Sequence, residues 1–112
     1  MTILKSNIDV TNKKAVYRLT KSESVPVQKM ERGLSLPVDK WALYEEENNK
    51  GELQTVLSFT TGEHKCSTIS KTFIRSFLEC VELMDGEEFS IILTGGETKA
   101  GRGFVNCELD CD

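Results

Sequence analysis

Lys71-Thr72-Phe73-Ile74-Arg75-Ser76-Phe77-Leu78-Glu79-Cys80-Val81-Glu82-Leu83-Met84 is the stretch on which the fold turns. Phe73, Ile74, Phe77, Leu78, Val81 and Met84 recur at helical spacing and form one apolar stripe. Ser70 stands directly before it, where a hydroxyl can accept from an orphan backbone N–H. Gly86 follows the last apolar residue and can supply a left-handed stop. The spacing therefore predicts one amphipathic helix, and the surrounding sequence predicts strands.

Upstream, Trp41-Ala42-Leu43-Tyr44 and Thr55-Val56-Leu57-Ser58-Phe59 flank the turn signal Asn48-Asn49-Lys50-Gly51 and read as a β-hairpin. A second turn at Thr61-Gly62-Glu63 leads to a short strand at Lys65-Cys66-Ser67. Downstream, Phe89-Ser90-Ile91-Ile92-Leu93 reads as a buried strand, and Phe104 to Leu109 as the final alternating one. Farther back, Ala15-Val16-Tyr17-Arg18-Leu19 alternates and predicts a short first strand. Residues 20–37 hold both prolines and predict an irregular connection, or a distorted edge strand around Val25 and Val27. Residues 1–12 read as a loose arm and residues 109–112 as an acidic tail of a single domain spanning 1–112.

The predicted class is mainly β, in the order β-β-β-α-β-β around the helix. That is the element order of an OB-fold, a small five-stranded barrel with a helix between its third and fourth strands. The alternative is an α+β arrangement with the helix on one sheet face.

Charge divides the 112 residues unevenly. Residues 1–44 carry eight Lys/Arg against four Asp/Glu, and residues 45–112 carry six against fourteen, giving the net charge of -4. The acidic total argues against an all-round basic nucleic-acid binder, but one end can still present a basic surface. No apolar run reaches membrane-spanning length. Met1-Thr2-Ile3-Leu4-Lys5 does not begin a secretory signal, so a cytoplasmic protein with free thiols at Cys66, Cys80, Cys107 and Cys111 is expected. Zinc held by His64, Cys66, Cys107 and Cys111 is the sharper alternative, but the spacing lacks paired Cys knuckles. No metal or cofactor is expected, and Cys80 reads as a small core residue.

Catalytic patterns are scarce. His64 is the single histidine, and neither a nucleophile elbow nor a phosphate loop is present. The expectation is a binding protein and not an enzyme. Lys99 and Arg102 sit in a glycine-rich connection between two strands, with Phe104 just after it. Cations on such a loop can meet phosphates while an aromatic stacks on bases. Trp41 and Leu43 face one side of their strand, and Ala42 and Tyr44 the other. Burying Trp41 leaves Tyr44, with nearby Lys40, as a second stacking platform; Tyr17 and Arg18 pose the same choice.

Ser70-Lys71-Thr72-Phe73-Ile74-Arg75-Ser76-Phe77, Gly86-Glu87-Glu88-Phe89 and Thr98-Lys99-Ala100-Gly101-Arg102-Gly103-Phe104-Val105-Asn106-Cys107 resemble small proteins of phages and mobile elements of Gram-positive bacteria. Some of those are described as single-stranded DNA-binding proteins. The resemblance covers about the C-terminal half. It implies an OB-like fold, a role in phage or element DNA replication or recombination, and a strand path beside Lys99, Arg102 and Phe104. The acidic end, Glu108 to Asp112, lacks the Pro-Phe tip by which bacterial single-strand binders recruit partners.

The expected function is single-stranded DNA binding by Lys40, Tyr44, Lys99, Arg102 and Phe104. The alternative is an acidic phage module that binds a host protein, by inhibition or by DNA mimicry. A homodimer built on exposed strand edges is a third expectation.

Overall fold

The computed structural model describes residues 1–62, 64–97 and 103–112. Along the chain run β1 (Thr2–Ser6), α1 (Lys13–Thr20), β2 (Val25–Pro26), a single 3-10 turn (Val27–Lys29), β3 (Ser35–Val38), β4 (Trp41–Glu47), β5 (Leu53–Thr61), β6 (His64–Thr68), α2 (Lys71–Met84), β7 (Phe89–Glu97) and β8 (Gly103–Leu109). The protein is mainly β, with two open sheets. One has the order β1-β4-β5-β6-β2 and the other β3-β7-β8. Every pairing is antiparallel except β2 with β6.

The hairpin β4–β5 forms where Asn48 and Gly51 predict it. The Asn48 carboxamide accepts from the backbone N–H of Lys50 and of Glu52, and Gly51 takes the positive φ. Trp41 faces Phe59 across it, and Tyr44 faces Val56. Both prolines lie on edge strands, Pro26 in β2 and Pro37 in β3, where a missing N–H interrupts no central ladder.

A corner joins the sheets. β3 runs into β4 through only Asp39 and Lys40, so one extended stretch pairs first with β7 and then with β5. Thr60 binds both corner residues: its carbonyl accepts from Asp39 and its N–H donates to the Lys40 carbonyl. The Asn7 side chain brackets the same corner, donating to the Asp39 carbonyl and accepting from the Trp41 N–H. Bent strands that switch sheets are how orthogonal packings turn their corners. No ladder among the described residues closes either sheet into the barrel of the OB-fold expectation. The arrangement is compatible with the α+β alternative.

α2 spans Lys71–Met84 with the Ser70 hydroxyl accepting from the Phe73 N–H, as its sequence predicts. Its stop differs by one residue: Asp85 already adopts the left-handed conformation at φ 45°, and Gly86 follows at 89°. Phe73, Ile74, Phe77 and Cys80 are buried. Phe77 touches Phe59 and Trp41 of the larger sheet (ring centroids 5.3 and 5.9 Å) and Phe89 of the smaller one (6.1 Å). The main core lies in this space between the sheets, with Leu57, Cys66, Ile91, Leu93, Val105 and Cys107 around the aromatic cluster.

Two N-terminal expectations are corrected. Residues 15–19 are not a strand but part of α1. Asn12 caps it, its side chain accepting from the Ala15 N–H at 3.1 Å. Residues 1–12 are not simply a loose arm, because Thr2–Ser6 pairs with β4. α1 lies on the opposite face of the larger sheet from the main core. Leu19 packs there with Ala42, Tyr44 and Val56, joined by Ile3 and Ile8. The larger sheet is thus covered on both faces, and Trp41, Ala42, Leu43 and Tyr44 are buried in succession.

Candidate nucleic-acid interface

The three predicted contacts that lie among the described residues, Lys40, Tyr44 and Phe104, do not form one surface. Tyr44 is corrected outright. It is only 2% exposed under α1, so no base can stack on its ring. Its hydroxyl shares a hydrogen bond with Ser58 at 3.0 Å, and burial pushes its pKa up. Lys40 is exposed at the corner, and Phe104 is 44% exposed at the start of β8. The ladders place these two far apart. Val38, two residues before Lys40, pairs with Phe89, while Phe104 pairs with Gly96. Seven residues of β7 separate those registers, about 23 Å at 3.3 Å per residue. The Phe104 ring has a structural role as well, for it lies over Gly96. Lys99 and Arg102 lie outside the described residues.

α1 brings together what the predicted set does not. Lys13, Lys14, Tyr17 and Arg18 are all exposed. At 100° per residue they span an arc of about 140°. Ala15, Val16, Leu19 and Thr20 occupy the opposite side, which meets the sheet. Tyr17 is 62% exposed, with cations one turn before it and directly after it. α1 contains no acidic residue. The only ion pair among the described residues joins Lys21, just past the helix, to Glu46 at 3.4 Å. Among the described residues, no acidic side chain pairs with Lys13, Lys14 or Arg18. By contrast, Lys65 is partly buried and donates to the Ser22 carbonyl, and burial pulls its pKa down.

A signal for this face was present in the sequence. The run Asn12-Lys13-Lys14 supplies a helix cap followed by cations, and Ala15, Val16 and Leu19 fit one helical face, whereas in a strand Val16 would point away from the other two.

A cleft of about 780 Å³ opens near the corner, on the core side of the larger sheet. Pro37, Val38, Val81 and Phe89 supply apolar lining, and Asp39, Glu87, Glu88, Asp110 and Asp112 contribute carboxylates with no Lys or Arg. Asp110 is already engaged. It accepts from the Ser35 hydroxyl and the Asp112 N–H, which hold its pKa down. A cleft of this polarity repels phosphate, and it adjoins Lys40 through Asp39.

Cys66, Cys80 and Cys107 are buried and Cys111 is exposed, all as free thiols. Among the described residues, no three His, Cys, Asp or Glu side chains converge in a way that could hold a metal. Burial pushes the Cys107 thiol up to about 12 from its ordinary 9.0, with Cys80 and Glu108 adding to the effect. Above pH 9 the unfolded chain releases this proton while the folded chain keeps it, so stability falls as pH rises toward 12. Urea midpoints taken under reducing conditions should decline across that window, and Cys107→Ala should flatten the decline. An unchanged slope in Cys107→Ala would place the titration elsewhere.

No helix among the described residues is long and apolar enough to cross a membrane. Comparison with protein-family models, with curated proteins and with solved structures finds no match to this chain.

Proposed function

We propose that this chain is a single-stranded DNA-binding protein whose contact surface is the outer face of α1. The observation that carries this is the exposed arc of Lys13, Lys14, Tyr17 and Arg18, free of acidic side chains on its own helix. The three cations neutralise backbone phosphates, and the Tyr17 ring stacks on a base. Stacking of this kind needs an unpaired base, which favours a single strand over a duplex. The acidic remainder of the molecule confines the contact to this face. The resemblance of the C-terminal half implies phage or mobile-element replication or recombination as the setting.

Fluorescence anisotropy of a labelled single-stranded oligonucleotide tests this. Affinity should fall steeply between about 50 and 200 mM salt. Replacing Lys13, Lys14 and Arg18 together by Glu should abolish binding. Neutral replacements should lower the slope of log K against log salt by about 2, at roughly 0.7 per phosphate contact. Tyr17→Ala should weaken binding by about 1–3 kcal/mol, the range for one stacked base. If the triple Glu variant binds like the wild type, α1 is not the interface.

A further inference from the structure

The cleft by the β3–β4 corner and the face of α1 are complementary in two independent respects. The cleft has an apolar lining beside a group of carboxylates and no cation. α1 presents an exposed aromatic ring among cations and no acid. They lie on opposite sides of the larger sheet, since α1 packs over Tyr44 and Val56 while Trp41, on the other face, lines the cleft. Within one molecule they cannot meet.

We infer that the cleft is a docking groove for α1 of a second copy of this chain. Tyr17 is the anchor. It enters against Val38 and Phe89, and Lys14 and Arg18 meet Glu87 and Glu88 at the rim. Tyr and Arg are enriched at interface centres, and Tyr17 and Arg18 are adjacent on this face. Eight helical residues span about 12 Å, so the contact is small and leans on charge. It should therefore weaken with salt. Because the two surfaces differ, the contact is heterologous, and each added copy leaves a free helix at one end and a free cleft at the other. Growth is open-ended unless the rotation happens to close a ring.

A consequence rests on the proposed DNA-binding role of α1. The cleft then occupies the same helix face as the nucleic acid, so self-association and strand binding exclude each other. Linkage requires that each weaken the other by the same factor.

Sedimentation velocity at low ionic strength tests the docking. The wild type should sediment faster as concentration rises, and this should vanish at high salt. Two charge-reversed proteins, Glu87→Lys with Glu88→Lys and Lys14→Glu with Arg18→Glu, change only exposed side chains. Each should be monomeric alone, and an equimolar mixture should associate again, because each then offers the surface the other lacks. That recovery also shows that neither variant has misfolded. A wild type that stays monomeric at low salt overturns the proposal, as does a mixture that sediments no faster than its components. A monomeric wild type that binds a lysine-rich peptide through Glu87 and Glu88 overturns it in favour of a foreign basic partner.

The cleft variant keeps α1 intact and separates this proposal from the DNA reading. Recovery in the mixture, with no oligonucleotide binding by the monomeric cleft variant, leaves the docking standing and removes the DNA contact. Oligonucleotide binding by that variant, with no recovery, does the reverse.

Discussion

Phe77→Ala is expected to cost about 3–5 kcal/mol, the usual range for deleting a buried phenylalanine ring. Two conditions place it toward the upper end. Phe77 has no solvent exposure, and its neighbours belong to different layers: Trp41 and Phe59 on the larger sheet, Phe89 on the smaller. Collapse around the lost ring would require one sheet to move toward the other. The corner at Asp39 and Lys40, bonded on both sides to Thr60 and bracketed by Asn7, resists that motion. A cavity that cannot collapse carries the larger penalty. Small domains are stabilised by only about 5–15 kcal/mol in total, so the variant should be close to its limit at room temperature. Urea unfolding followed by Trp41 emission would register it directly, since that indole lies against the deleted ring. Leu83→Ala on the same helix is the control. Leu83 is 74% exposed, and its loss should change stability by less than about 0.5 kcal/mol. Equal effects at the two positions would mean that α2 does not hold the sheets together.

The same helix was the most legible element of the chain. Its stripe runs from Phe73 to Met84 within a fourteen-residue helix, long enough for helical spacing to stand apart from alternation. The β4–β5 hairpin was legible for another reason: Asn48 and Gly51 encode their turn locally, and the flanking strands need only extend it. Residues 15–19 had neither advantage. Over five residues, Ala15, Tyr17 and Leu19 can be read as one strand face and Ala15, Val16 and Leu19 as one helical face, and the Asn12 cap decides for the helix. β1 was hidden because its ladder depends on β4, more than thirty residues away.

The two corrections are linked. Alternation along β4 with Trp41 and Leu43 buried leaves Tyr44 on the open face, and a strand at residues 15–19 offers nothing to cover it. Restoring the helix buries Tyr44 and turns Lys13, Lys14, Tyr17 and Arg18 outward together. The basic character of residues 1–44 was visible in the charge count, but its concentration on one face needed the helical period. The acidic cleft was not legible at all. Asp39, Glu87, Glu88, Asp110 and Asp112 come from three separate stretches, brought together by the corner and by the end of α2.

Gly95→Ala should destabilise the protein by about 2–4 kcal/mol, combining a strained backbone with a displaced hydrogen bond. Gly95 sits in β7 opposite Val105, at φ 154°. A methyl group there would run into the Phe104 carbonyl oxygen and come within 2.8 Å of the Arg32 Nε. Neither neighbour can yield cheaply. The Phe104 carbonyl is fixed in the β8 backbone, and it accepts from the Arg32 guanidinium at 3.1 Å. Arg32 also donates to the Met30 carbonyl at 2.8 Å, so the guanidinium ties the segment before β3 to the outer strand of the smaller sheet. Glycine is required because that tie passes directly over its Cα. Gly96→Ala, one residue on, isolates the cause. Its methyl would meet only the Phe104 ring, at 3.6–3.7 Å, an ordinary contact. If both substitutions lower the urea midpoint equally, the loss reflects the removal of glycine from a strand in general. If Gly95→Ala alone is severe, and Arg32→Ala reproduces part of the loss, the guanidinium tie is what holds the start of β3 against β7 and β8. The corner end of the smaller sheet, with the acidic cleft beside Phe89, should then keep its structure in the Gly95 variant, because it is anchored independently through Thr60 and Asn7.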